Sequence, residues 1–280
     1  MNGILFIVAT PIGNLEDLTP RARKTLAEVD LVAAEDTRRT GRMLMSIGVK
    51  ARLMALHDYN EEQAVSRAVA ALESGQSIAL VSDAGTPLLS DPGFRLVRAA
   101  HERDITVSPI PGPSALTAAL SVAGLPTDHF AFEGFLPAKR VARRKALESL
   151  RDETRTSVFY ESVHRVAESL DDMREVLGDD RLAFIGRELT KLHEQCVQGT
   201  LGQLRDKLDD GSIATKGEFV IVVTGSDEPR PTFSFDTDHL LVELGEVLSL
   251  KEAARVSARV TGLKKNTLYQ RLLELKKRTR

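Results

Sequence analysis

The chain is poor in the groups that hold disulfides or metals. Its 280 residues include one cysteine, Cys196, so no internal disulfide can form, and a reducing cytoplasm is the expected location. Its six histidines show neither H-x-x-x-H nor Cys/His ligand spacing, so no protein-bound metal is expected. No apolar run approaches the roughly 18 residues of a membrane span, which argues against a membrane partner. The opening MNGILFIVATPIGN lacks the basic start of a signal peptide and reads as a first strand. G-x-G-x-x-G and G-x-x-x-x-G-K-[ST] are also missing, so dinucleotides and nucleoside triphosphates are poorly supported as ligands. What remains is an ordinary globular balance, 42% hydrophobic and 28% charged. The length suits two domains with a small third unit.

Strand and helix patterns alternate along the first half. Apolar β-branched runs predict strands at 3–9, 31–34, 77–81 and 105–110, with helices at about 20–29, 37–47, 60–74 and 92–103. Thr19 before Pro20 fits an N-cap with proline at the first helical position. A loop-like stretch from Gly124 to Asp128 ends this half. In the second half strands are expected near 156–160, 182–186, 194–199 and 218–224, with helices near 138–150, 163–177 and 200–209. These strands interleave less regularly with helices, which points to a mixed sheet. Ser226 to Pro231 is polar and proline-interrupted and reads as a linker. The expected division is therefore 1–123, 124–226 and 236–280.

Three turns, each following an apolar run, carry the functional signal. They are Thr10-Pro11-Ile12-Gly13-Asn14, Ser82-Asp83-Ala84-Gly85-Thr86-Pro87 and Pro111-Gly112-Pro113-Ser114-Ala115. Each runs into helical periodicity, so each reads as a strand-to-helix turn. In a parallel sheet such turns emerge at the carboxyl ends of the strands, where ligands bind. One composite pocket is expected, with Gly13, Gly85 and Gly112 leaving backbone open to a ligand. Ser114 stands where a helix begins, either to cap it or to face the pocket.

The net charge of −2 hides an asymmetry. Residues 249–280 carry ten Lys/Arg against Glu252 and Glu274, a balance of +8, which leaves −10 for residues 1–248. A basic appendage on an acidic body suggests a polyanionic partner, the alternative being a solvated helical face. A second basic run, Lys139, Arg140, Arg143, Arg144 and Lys145, adds to that suggestion. Within the tail, Ser249-Leu250-Lys251-Glu252 reads as a capping box. A helix, the turn Thr261-Gly262-Leu263 and a second helix with Leu268, Tyr269, Leu272 and Leu275 follow. This helix-turn-helix spacing usually signals DNA, but A-form RNA does not admit a helix into its major groove, so phosphate contact is expected for RNA.

The runs ATPIGNLEDLTPRA, AAEDTRRT, LVSDAGTPLLSDPG, PIPGPSALTAAL, EGFLP, FYESVHR and GRELTKLHE resemble, in this order, the ribosomal-RNA-modifying members of the tetrapyrrole-methylase-like methyltransferases. The resemblance spans residues 4 to about 224 and extends to the basic tail. It implies two α/β domains with S-adenosylmethionine in the cleft between them, and a helix-turn-helix-like all-α unit. It also implies a homodimer and transfer to a cytidine 2′-hydroxyl in the decoding region of 16S ribosomal RNA in the small subunit. Residue by residue, it assigns donor contacts to Pro11, to Asp83, Ala84, Gly85 and Thr86, and to Leu89, Ser114, Ala115, Phe159 and Tyr160. Tetrapyrrole members usually read G-D-P where this chain has Gly85-Thr86-Pro87, leaving Asp83 and Thr86 as alternatives at the donor's amino-acid part.

The implied reaction is attack of a 2′-oxygen on the methyl carbon of a sulfonium. Positioning the two reactants is worth about 7–11 kcal/mol, and a base adds roughly 10²–10⁴-fold. Candidate bases are Asp36, Glu35, Glu161 and Glu188, with Lys191 as an electrostatic aid and His57 as a further base. Each carboxylate also has an arginine nearby in sequence and thus an ion-pair alternative. Two other functions stay open. One is a tetrapyrrole methyltransferase, which needs no basic tail. The other is a nucleic-acid-binding regulator whose body senses a small molecule.

Overall fold

The structure is a computed structural model that describes residues 2–57, 60–226 and 237–278. Contacts divide the chain into Met1–Glu228 and Pro229–Arg280. The expected linker beyond Ser226, and residue 236, lie outside the described residues.

The first unit begins with five parallel strands in the order β3-β2-β4-β1-β5, namely β1 (Ile4–Val8), β2 (Leu31–Ala34), β3 (Leu53–Ala55), β4 (Ile78–Val81) and β5 (Thr106–Ile110). The central strands are buried on both sides, as β2 and β4 show at every position. That is why they read as continuous apolar runs rather than alternating ones. Leu5, Ile78 and Leu80 face helices α3 (Glu61–Glu73) and α4 (Phe94–His101). Ala79, Val81 and Val32 face α1 (Pro20–Glu28) and α2 (Thr37–Ser46). Thr19 caps α1 through a 3.1 Å bond from the Ala22 N–H, with Pro20 at the first helical position.

The second sheet is mixed, in the order β6-β7-β10-β8-β9. Its strands are β6 (Phe130–Phe135), β7 (Thr156–Ser162), β8 (Leu182–Arg187), β9 (Gln195–Thr200) and β10 (Glu218–Val223). Only β6 and β7 are parallel. One face, with Phe159, Ile185, Phe219 and Ile221, packs on α6 (Arg140–Ser149), α7 (Val166–Leu177) and α8 (Leu201–Asp209). The other, with Val158, Phe184, Val220 and Val222, receives α5 (Ala115–Ala123), although α5 follows β5 of the first sheet. The strand period of two separates these faces.

The second unit is α9 (Thr237–Val247), α10 (Leu250–Thr261) and α11 (Lys265–Arg278) around Leu241, Ala253, Ala254, Leu268 and Leu272. Ser249 caps α10, and its hydroxyl donates to the Glu252 carboxylate at 2.7 Å. Among the described residues no helix is long and apolar enough to cross a membrane.

Candidate functional site

The three turns are bonded to one another. Thr10 and Gly85 exchange both backbone hydrogen bonds, at 2.9 and 3.0 Å, and the Thr86 hydroxyl donates to the Pro113 carbonyl at 3.1 Å. The glycines serve this stitching. A Cβ on Gly85 would lie 3.2 Å from Ile12 and 3.7 Å from the Pro113 oxygen, and one on Gly112 would lie 3.1 Å from the Ala9 Cβ. One on Gly13 would strike the Lys191 stem. The close approach expected for a ligand at Gly13 and Gly112 is thus occupied by the protein itself.

Beside the turns lies a cavity of about 470 Å³. Its floor comes from the first sheet's loops, with Asp83, Ala84, Gly85, Thr86, Leu89 and Ala115. Its opposite wall carries Tyr160, Phe135, Leu189 and Lys191 from the second sheet and its loops. Pro11 lines an adjoining cavity of about 200 Å³ that shares Arg39, Asp83, Ala84 and Lys191 with the larger one.

Two leucines form matching parts of the apolar wall. Leu89 sits between Leu88 (φ 73°) and Ser90 (φ 67°), and Leu189 between Glu188 (φ 50°) and Thr190 (φ 67°). Non-glycine residues held left-handed on both sides of a cavity are backbone strain of the kind that accumulates at ligand sites. Leu89 and Leu189 join the same apolar cluster as Ile12 and Val220. Tyr160 packs edge-on against Phe132 and Phe135, with centroids at 4.8 and 5.7 Å. Its hydroxyl accepts from the Leu116 N–H at 3.1 Å. Burial raises the phenol above its usual range, against the pull of Ser114 and the Leu116 N–H.

The polar rim is acidic. Glu35, Asp83 and Asp91 line the cavity together. Asp83 accepts from the Asp36 N–H at 3.1 Å and from Arg39 at 3.4 Å. Asp91 is pushed up to about 6, by burial first and by the Glu35 and Asp83 charges, with the Ser82 hydroxyl pulling the other way. Lys191 bridges Glu188 at 2.7 Å and Glu218 at 2.9 Å. Burial would lower this ammonium, but its two carboxylates outweigh that and raise it. Burial would likewise raise Glu188, but Lys191 and the Glu218 N–H bring it below the ordinary carboxylate range.

Residues 5–205 match the Tetrapyrrole (Corrin/Porphyrin) Methylases, and residues 234–276 match the RsmI C-terminal HTH domain. Over 272 residues the chain is 49% identical to ribosomal RNA small subunit methyltransferase I of Escherichia coli O157:H7, covering 97% of this chain and 95% of that protein. The protein of the same name from Pseudomonas aeruginosa is 48% identical, covering 97% of each. The chain belongs to the tetrapyrrole methylases, among the ribosomal RNA small subunit methyltransferases I. Two solved structures share the fold. The methyltransferase CobJ superposes with a TM-score of 0.59 at 19% identity, covering 80% of this chain and 95% of that one. Cobalt precorrin-4 methyltransferase CbiF gives 0.58 at 16% identity, covering 79% and 94%.

In this tetrapyrrole methylase most of the sequence-predicted donor contacts meet at one cavity, and a few stand elsewhere. Phe159 is fully buried and points to the α6–α8 face, because it alternates with Val158 and Tyr160 along β7. Ser114 is at the N-cap of α5 but makes no capping bond to it. Asp36 is occupied: it caps α2 through the Arg38 and Arg39 N–H groups and pairs with the Arg38 guanidinium at 3.1 Å. These bonds, the Arg38 side chain first, bring it down to about 2 against the pull of desolvation. Glu161 reaches the cavity, but its carboxylate is buried and accepts from Ser169 (2.6 Å), the Ser162 N–H (2.8 Å) and Arg165 (3.3 Å). Glu188 and His57 do not line the cavity. The sequence reading missed Asp91, Ser90 and Phe135; the SDPG that follows the second turn was the available signal for the first two.

The three arginines of the second basic run are paired rather than free. Arg143 is buried and pairs with Asp172 at 2.7 Å and Glu168 at 3.2 Å, Arg140 with Asp172 and Glu175, and Arg144 with Asp172 and Glu175. Arg140, Arg143, Glu168, Asp172 and Glu175 line a groove of about 620 Å³, larger than the loop cavity, in which the protein's own charges already answer one another. Among the described residues no cluster of three or more His, Cys, Asp or Glu could hold a metal.

Proposed function

We propose that this methyltransferase transfers a methyl group from S-adenosylmethionine to the ribose 2′-hydroxyl of a cytidine in 16S ribosomal RNA of the small subunit. The observation that carries the proposal is the near-half identity, along almost the whole chain, to proteins named for small-subunit ribosomal RNA methylation. The loop cavity fits such a donor, which combines an adenine ring, a sulfonium cation and an amino-acid end. Leu89, Leu189, Phe135 and Tyr160 supply apolar and aromatic surface. Glu35, Asp83 and Asp91 supply negative charge for the cationic part. The donor sits between the two α/β domains, 1–123 and 124–226, in this reading.

S-Adenosylmethionine supplies a methyl group already activated for displacement. The chain's own contribution is to hold the two reactants in line and to receive one proton. Asp91 is the proton acceptor in this proposal, because it faces the cavity and burial raises its affinity for a proton to about 6. Asp36 has the opposite character and serves α2. Lys191 is held by two carboxylates, Glu188 and Glu218, where the two cavities meet, so in this proposal it orders that wall rather than offering a free positive charge.

In this reading the enzyme is cytoplasmic, as its single cysteine suggests, and a homodimer, as the family resemblance implies; light scattering would test the dimer. The reaction itself is tested with labelled methyl donor and small ribosomal subunits from an unmethylated strain. Label in a cytidine nucleoside whose phosphodiester resists alkali supports ribose methylation. Label on a base, or none, overturns it.

A further inference from the structure

The helical unit distributes its charges unevenly. Three of its acids, Asp238, Glu243 and Glu246, lie on α9, while α10 carries Lys251, Arg255 and Arg259 at intervals of four, hence along one face. All three cations are exposed, and the face opposite them, Ala253, Ala254 and Ser257, is buried against the other helices. The stripe extends for about 12 Å of helix at ~1.5 Å per residue. Gly262, left-handed at φ 72°, then turns the chain, and Lys264 and Lys265 follow, also exposed.

Two cations of α11, Arg271 and Lys276, are committed elsewhere. Arg271 pairs with Asp238 at 2.6 Å and with Glu274 at 3.1 Å, and Lys276 donates to the Gly245 carbonyl at 2.9 Å. On α10 the single acid, Glu252, is turned to its own cap at Ser249. Among the described side chains the available positive charge therefore follows α10, the turn and the first residue of α11.

We infer that the stripe Lys251–Arg255–Arg259, continued by Lys264 and Lys265, is a docking surface for the phosphate backbone of RNA. Base reading by α11 is not part of it. The inference deepens the proposed function, for it names the surface that holds the RNA while the cavity acts on it. A row of three cations along one helix face matches a repeating polyanion. Such contacts position the protein and read no sequence.

The test uses the full chain with Lys251, Arg255 and Arg259 all changed to glutamine, and unmethylated small ribosomal subunits as the probe. Each lost phosphate contact removes about 0.7–0.9 from the slope of log affinity against log salt, so the slope becomes shallower by about 2–3. Affinity near physiological salt falls more than about tenfold, while donor affinity by calorimetry and the thermal midpoint stay at wild-type values. A folded triple variant with unchanged slope and affinity overturns the inference. So does tight, sequence-dependent binding of duplex DNA by the wild-type chain that an Asn266→Ala/Gln270→Ala variant abolishes. Wild-type protein that binds subunits with a steep slope but never methylates them would sink the proposed reaction and leave the docking surface standing.

Discussion

Thr10 and Gly85 face each other across 2.9 and 3.0 Å backbone hydrogen bonds, an isolated antiparallel bridge between loops that leave parallel strands. The pairing requires Gly85 at φ 86°, which other residues adopt at a cost. Gly85→Ala is expected to lower unfolding free energy by about 1–2 kcal/mol. It should weaken donor binding as well, because the second turn carries Asp83, Ala84 and Thr86. Denaturant unfolding and calorimetry check the two effects. A stable variant with full donor affinity would show that the bridge does not shape the cavity.

Asp36→Ala separates a structural carboxylate from a catalytic one. The variant loses the cap of α2 and the Arg38 pair, so its thermal midpoint should fall. Its folded pKa is depressed to about 2, so Asp36 stabilises the fold above the ordinary carboxylate pKa. That stabilisation is lost as pH falls through about 2, and the difference between variant and wild type should shrink with it. Methyl transfer by the folded variant should stay within about tenfold of wild type, short of the roughly 10²-fold loss expected for a proton acceptor.

Much of this was legible in the residues, for physical reasons that differ by element. β2 and β4 announce themselves because burial on both sides leaves no polar position in LVAA or IALV. β3 is three half-buried residues at a sheet edge, too short to show a period. β6 was hidden because its register shifts between Phe132 and Gly134, and Phe130 and Phe135 stay exposed. At the site, the three turns were visible as local chemistry. Asp91 was not, since its raised proton affinity comes from burial and from Glu35 and Asp83, which only the fold brings beside it. The ion pairs of α6 were hidden for the same reason, because Asp172 and Glu175 lie about 30 residues away on α7.

Asp172→Ala tests the reading of that run as structure. The Arg143–Asp172 pair is almost wholly buried, so removing Asp172 leaves Arg143 with only the exposed Glu168 and should cost up to about 3–5 kcal/mol. Burial would raise Asp172, but Arg143 and Arg140 lower it on balance, so its contribution is present above the ordinary carboxylate pKa and fades as pH drops. The double variant Arg143→Met/Asp172→Leu should recover most of the loss, which urea unfolding measures. Subunit binding by the recovered protein should match wild type. Weakened binding there would return α6 to the RNA surface.

Asp91 carries the last prediction, and its sign runs opposite to that of Asp36. Its folded pKa stands at about 6 against an ordinary 3.8, so the fold prefers the protonated acid. Stability from this group is full below about 4 and is lost as pH rises to about 6, because the unfolded chain then ionises more readily than the folded one. Asp91→Asn stays neutral at every pH and should be more stable than wild type above pH 6. Catalysis demands the reverse state, for only the carboxylate can take a proton. Single-turnover methyl transfer at saturating donor should therefore rise with pH through about 6 and level off above it. In Asp91→Asn that rise should vanish and the plateau should fall by roughly 10²-fold or more, with RNA binding unchanged. Donor affinity, measured separately, distinguishes proton transfer from simple charge attraction. If the variant reaches the wild-type rate once donor is raised, Asp91 holds the donor and takes no proton.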